Sequence, residues 1–227
     1  MATRQLLADL VAAYRQQAGQ AVEIESVGGV DAAKRVAAGE ALDVVILAAD
    51  AIDKLIAGGS VLAGSRVDLV DSGVAVAVQA GAARPDIGSE EAVKQAVLAA
   101  PTIGYSTGPS GVALQKLFER WGIADNVKAR TVQAPPGVPV GSLVARGEVA
   151  LGFQQFSELM NLQGIDVVGP LPAAIQVTTT FSGGVCAASQ HPDAVRRLLA
   201  FMASPDTAPV KQRNGMEPAA SSTRNKQ

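Results

Sequence analysis

Apolar positions in the first twenty residues recur at helical spacing. Leu6, Leu7, Leu10, Val11 and Tyr14 fall on one face, and Gly19 closes the run. "AVEIESVGG" then predicts a strand that breaks at Gly28 and Gly29, "VDAAKRVAAGE" a helix, "ALDVVILAAD" a buried strand, and "AIDKLIAGG" a third helix. The near-continuous apolar run of "VVILAA" is what a strand covered on both faces requires. Strand and helix in alternation predict an α/β fold with a parallel sheet.

"SGVAVAVQAG", residues 72–81, predicts a longer strand, after which the pattern restarts. "PTIGYS" ends a strand, residues 110–121 carry a helical stripe of Leu114, Leu117, Phe118 and Trp121, and "VKARTVQA" reads as a strand. "VGSLVARGE" follows as a short helix, "VALGFQQ" as a strand, "FSELMNLQG" as a helix and "IDVVGPL" as a strand. "QVTTTFSGGVCAAS" is a second long β-type run, followed by two helical patterns. Two long strands thus bracket a middle unit. The predicted organisation is two lobes, residues 1–78 with 178–227 and an inserted lobe of residues 79–177, joined by a two-strand hinge with a cleft between. The terminal "SSTRNKQ" is polar and is expected to be disordered.

Composition narrows the functional classes. At 48% hydrophobic and 18% charged residues, a chain of 227 residues has the material for a sizeable core. Asp and Glu number 21 against 19 Lys and Arg with no basic cluster, which argues against nucleic acid as a partner. No apolar run approaches the roughly 20 residues that span a bilayer, so no membrane insertion is expected. Met1 is followed at once by an amphipathic helix rather than a signal peptide, which predicts a cytoplasmic protein if Met1 is the true start. Cys186 and His191 are the sole cysteine and histidine. Cys/His metal sites and Ser-His-Asp or Cys-His catalysis therefore have almost no material, and no cofactor or metal is expected.

What remains is a set of strand-to-helix turns rich in small and hydroxyl residues. In open α/β sheets such turns bind ligands, because unpaired N–H groups and the positive end of the helix dipole converge there. "ESVGGVD" offers Ser26, Gly28 and Gly29; "YSTGPSG" offers Tyr105, Ser106, Thr107, Ser110 and the amide of Gly111. "APPGVPVGS" offers Gly137 and Val138 in a rigid proline frame, and "GFQQFSE" offers Gln154, Gln155 and Ser157. Each turn taken singly is also what an ordinary helix cap looks like. Together they supply neutral hydrogen-bond donors rather than acids, bases or metal ligands, which suits an oxyanion or a carboxylate.

The order of elements, with "AAGEALDVVILAAD", "VDLVDSGVAVAVQAGA", "TIGYSTGPSGVALQKLFERWGI" and "LVARGEVALGFQQFSELM", resembles class II periplasmic solute-binding proteins of the molybdate-binding type over nearly the whole chain. The resemblance implies two α/β lobes, each a mainly parallel sheet flanked by helices and hinged by crossing strands, that close on a small anion. It implies the membrane subunits of an ABC importer as partners. Members of that family begin with a strand whose C-terminal turn gives a serine to the ligand, whereas this chain starts at the following helix; Met1 to Arg4 would be the remnant of that turn. On this reading a first strand and a signal peptide precede Met1, and the protein is periplasmic.

The site also departs from the family pattern. Gln155 stands where a molybdate binder has a tyrosine, and glycines occupy the turn that supplies a second serine, which puts molybdate itself in doubt. A branch with sequences much like "YSTGPSG" and "GFQQFSEL" resembles aconitate isomerase, which implies proton transfer across an allylic tricarboxylate on the same fold. Within that branch Tyr105 is the candidate base, although a tyrosine serves as one only where its pKa, ordinarily about 10, is lowered considerably. Arg4 is a candidate partner for a substrate carboxylate. A third class, the effector domain of a regulator, uses a similar two-lobed fold but normally carries a helix-turn-helix, and none precedes Thr3.

Overall fold

The first helix, α1 (Arg4–Ala18), buries Leu6, Leu7, Leu10 and Tyr14 and ends at Gly19, whose φ of 65° gives the left-handed cap that glycine adopts without strain. The computed structural model describes residues 2–220. After α1 come α2 (Gly29–Ala37), β1 (Val44–Ala48), α3 (Ala49–Ala57) and the long β2 (Val67–Gln79). The chain continues through α4 (Glu90–Ala99), β3 (Ile103–Tyr105), α5 (Pro109–Arg120), α6 (Ala124–Val127) and β4 (Thr131–Gln133). Next are α7 (Val140–Ala145), β5 (Leu151–Gln155), α8 (Phe156–Leu159) and β6 (Ile165–Pro170). It closes with β7 (Thr178–Val185), α9 (Pro192–Ala203), α10 (Ala208–Arg213) and β8 (Glu217–Pro218). The segment "SSTRNKQ" lies outside the described residues.

Two compact units result: Met1–Ser72 with Thr179–Gln227, and Gly73–Thr178. The chain passes from one to the other inside β2 and returns at the start of β7.

In the first unit β1 runs antiparallel to β7, Val44 opposite Val185 and Ala48 opposite Phe181, and β8 pairs antiparallel with β2 at Val70 and Asp71. Side chains reinforce the β2 and β7 segments: Thr180 Oγ1 donates to Asp71 Oδ1 at 2.6 Å and Ser182 Oγ to Asp68 Oδ1 at 2.6 Å. The core packs α1 and α9 over these strands through Leu6, Leu10, Leu69, Phe181, Leu199 and Met202.

The strand expected over "AVEIESVGG" does not form. Residues 21–27 keep a strand-like alternation, with Val22, Ile24 and Ser26 half-buried and Ala21, Glu23 and Glu25 exposed, yet join no sheet. Between this segment and β1 lies a cavity of about 610 Å³ bordered by Leu7, Tyr14, Val22, Ile24, Val44 and Ile46. The alternation is present, but without an adjacent strand there is no ladder to complete.

The second unit holds the parallel pairings. β3 is flanked on one side by β4, Ile103 opposite Thr131, and on the other by β5, Ile103 opposite Leu151, both parallel. β2 pairs antiparallel with β5 and with β6. The expectation of mainly parallel sheets is therefore corrected to mixed ones. The long strands that carry the chain between units run against their neighbours, and the parallel partner expected for β1 at residues 21–27 is unpaired. Val76, Val93, Ile103, Leu114, Phe118 and Phe153 form the main core of this unit.

Candidate anion-binding site

Because β4, β3 and β5 are parallel neighbours, the turns that follow them emerge at one edge of the second unit's sheet. "YSTGPSG", "APPGVPVGS" and "GFQQFSE" are those three turns, so the structure brings together the sequence-chosen residues of this unit at element level.

After β3, Ser106 organises the entry to α5. Its Oγ accepts from Gly108 N–H at 3.2 Å and lies 3.1 Å from Ser110 Oγ, which belongs to a residue 2% exposed. Thr107 is exposed. The donor expected of Gly111 is corrected: its N–H goes to Gly108 O at 3.1 Å as part of the helix start. The glycine is needed for another reason, since a Cβ there would sit 1.8 Å from the Ser106 carbonyl oxygen. Tyr105 is a packing residue at the end of β3. Its ring is buried beside Leu114, Phe118 and Phe153, and its hydroxyl accepts from Gln115 Nε2 at 2.9 Å.

After β4, Gly137 adopts φ +79° and is exposed, while Val138 N–H donates to Pro135 O at 3.0 Å. The chain then enters α7 at Val140, whose N–H donates to the side-chain oxygen of Gln154 at 2.8 Å. Gln154, 2% exposed, is thus a brace between β5 and the first turn of α7. Gln155 is equally buried. Ser157 follows in α8, and its Oγ is buried with no hydrogen-bond partner among the described residues, a position that costs free energy unless something else fills it.

One residue further stands a group to which the sequence assigns no role. Burial pushes the Glu158 carboxyl above the usual range. The available signal was compositional: Glu158 is the one carboxyl among the three turns of this unit.

In the first unit, Gly28 is the N-cap of α2 and Gly29 its first residue. A Cβ on Gly29 would meet Leu47 Cδ2 at 3.6 Å, ordinary contact, so packing alone does not demand glycine there. Ser26 is half-buried just before the cap, and Arg4 is exposed at the first position of α1. Cys186 is 2% exposed, and burial pushes its thiol up to about 11, which leaves it protonated and unreactive near neutrality. Among the described residues no group of three or more His, Cys, Asp or Glu is arranged to hold a metal ion. No helix of theirs is long and apolar enough to cross a membrane.

A family model described as bacterial extracellular solute-binding protein matches residues 1–217. The chain belongs to that family. Among curated proteins, it is 42% identical over 218 residues to an aconitate isomerase of a Pseudomonas species, covering 92% of this chain and 82% of that protein. The periplasmic molybdate-binding protein of Azotobacter vinelandii shares the fold with a TM-score of 0.76 at 21% identity, over 94% of each chain. The tungstate ABC transporter structure from Geobacter sulfurreducens does so with a TM-score of 0.72 at 16% identity, over 92% of each chain. The solute-binding family member described here therefore has the type II periplasmic-binding-protein fold.

Proposed function

We propose that the protein binds a small polycarboxylate of the aconitate class and shifts its double bond by proton transfer. The observation that carries this reading is the 42% identity to an aconitate isomerase over 92% of the chain, a far closer likeness than the 16–21% to the molybdate and tungstate proteins. The site chemistry supports it. The turns of the second unit hold hydroxyls, amides and a single carboxyl, and Gln155 stands where the tetrahedral-oxyanion pattern calls for tyrosine. Ser106, Ser110 and Ser157 of the second unit's turns are proposed to hold substrate carboxylates.

The reaction balances without a co-reactant. A base removes one proton from the methylene carbon, the electron pair delocalises through the former double bond into a carboxylate, and a proton returns to the former vinyl carbon. The double bond then lies one carbon over and the base is regenerated.

A second reading keeps the same site as the solute-binding component of an ABC importer, exported to the periplasm; the family's description as extracellular solute-binding proteins favours it. The deciding experiment adds cis- and trans-aconitate separately to purified protein, follows ultraviolet absorbance, and in parallel records melting temperature with aconitate, molybdate and tungstate. The isomerase reading expects both isomers to converge on one mixture and aconitate to raise the melting temperature by mass action. Stabilisation by molybdate or tungstate at micromolar concentration, with neither turnover nor stabilisation by aconitate, overturns it.

A further inference from the structure

Helix α7 leaves the turn after β4 and packs back onto β3 and β5, and glycines make that contact possible. Gly104 of β3 and Gly152 of β5 face each other in the parallel ladder. A Cβ on Gly104 would lie 3.0 Å from Val140 Cγ1 and 2.7 Å from Val149 Cγ1, and one on Gly152 would lie 2.6 Å from Val144 Cγ2 and 3.2 Å from Val140 Cγ1. Val140 and Val144, both fully buried, thus fill a saddle that exists because neighbouring strands carry no side chain there.

Gln154 completes the seat. It follows Gly152 on the same face of β5, and its side-chain oxygen takes the Val140 N–H at 2.8 Å. Gly141 brings α7 close to α8 as well, since a Cβ there would meet Leu159 Cδ2 at 3.1 Å.

The turn ahead of α7 has little freedom of its own. Pro135, Pro136 and Pro139 have fixed φ angles and no N–H. Val138 N–H closes onto Pro135 O at 3.0 Å, and Ala134 N–H donates to Tyr105 O, at the end of β3, at 2.8 Å. A stiff turn joined to a seated helix moves with that helix. Where α7 sits on β3 and β5 therefore decides where residues 135–139 stand beside the turns that follow those strands.

We propose that the saddle of Gly104 and Gly152, together with Gln154, preorganises the candidate site by fixing the turn after β4, and that Gln154 is a positioning residue for substrate binding. This rests on the isomerase reading above. Gln154 touches no substrate in this role; it acts through Val140 and the turn that leads into it. Misplacement of a binding group by as little as about 1 Å is costly, so a helix that shifts on its seat weakens binding at a distance.

The test measures KM and kcat for aconitate at a temperature where each protein is folded. Gln154→Leu removes the acceptor at similar volume, and KM is expected to rise about ten-fold or more with a smaller change in kcat. Gly152→Ala drives a Cβ into Val144 and is expected to raise KM likewise. Adding Val144→Ala to Gly152→Ala removes the opposing methyl groups and is expected to return KM to within about three-fold of wild type. A seat that serves stability alone would lower the melting temperature of both single variants and leave KM within about three-fold of wild type, and that result overturns the proposal. So does a double variant whose KM stays as high as that of Gly152→Ala. Should Gln154→Leu fail to fold, Gly152→Ala and its double variant decide. A wild type inert towards aconitate refutes the isomerase reading and this proposal with it, whereas an active wild type beside variants of unchanged KM refutes this proposal alone.

Discussion

The side-chain oxygen of Gln154 accepts the backbone N–H of Val140 at 2.8 Å, closing the start of α7 onto the end of β5 inside the second unit. Fourteen residues of sequence separate the two, and both are buried. A helix start whose N–H groups are out of reach of water needs such an acceptor.

Gln154→Leu removes that acceptor at nearly constant volume and leaves the Val140 N–H buried and unpaired. The expected loss of stability is about 1–3 kcal/mol, read as a lower urea midpoint with an unchanged slope. Gln154→Glu keeps an acceptor for Val140 but buries a second carboxyl four residues before Glu158. It is expected to lose stability most above the range in which both carboxyls ionise.

Gly111→Ala tests the close approach behind "YSTGPSG". The added Cβ would lie 1.8 Å from the Ser106 carbonyl oxygen, which is backbone and cannot swing away, so the turn or α5 must move. Overpacking of this kind costs about 1–3 kcal/mol or more. The expected outcome is a clear drop in melting temperature and loss of any ligand-induced shift, whereas Gly137→Ala, at an exposed turn with nothing within 4 Å, is expected to lose about 1 kcal/mol or so from its φ of +79° alone.

Much of this is legible in the sequence, for reasons that individual residues make plain. α1 and α5 are readable because a single buried face imposes helical spacing on the apolar positions, Leu6, Leu7, Leu10 and Tyr14 in the first and Leu114, Leu117 and Phe118 in the second. The turns are readable because glycine and serine before a helix have few other uses. Pairing direction is not, because a run such as "VVILA" records burial on two faces and says nothing about which way a neighbour runs. Nor is the division of labour within "GFQQFSE". Gln154, a ligand residue by its place in the turn, braces a helix, while Glu158, by sequence an ordinary first-turn acid, is half-buried with its carboxyl pushed above the usual range. Only the packing around each distinguishes them.

Asp68 gives the first unit a predictable acid response. Burial pushes its pKa up, but hydrogen bonds from Arg66 and Ser182 together outweigh this and hold it below the usual carboxylate range. A carboxyl lowered in the folded state binds fewer protons there than when unfolded. Its stabilising contribution is therefore complete above the unfolded pKa of about 3.9 and is lost as pH falls through the lower folded value. Arg66 also bridges to Asp53 at 2.7 Å. Arg66→Met is thus expected to lower stability at pH 7 and to flatten its decline as pH falls below about 4, as measured by denaturation midpoints across pH. An unchanged pH profile in Arg66→Met would remove Asp68 as its source.

Residues 21–27 provide a test of what alternation alone achieves. The segment places Val22 and Ile24 against the core that also takes Val44 and Ile46, yet it joins no sheet and borders the cavity of about 610 Å³ beside β1. Amide exchange depends on hydrogen bonding more than on side-chain burial, so half-buried side chains without a ladder should protect little. Hydrogen exchange is expected to be fast across residues 21–27 and slow across β1, whose N–H groups on the β7 side are held by the register from Val44–Val185 to Ala48–Phe181. Protection of residues 21–27 comparable to that of β1 would mean that the segment is paired in solution. Val22→Ala and Ile24→Ala should each cost less than the 2–5 kcal/mol or so of a fully buried aliphatic truncation, because one side of each side chain already faces open space.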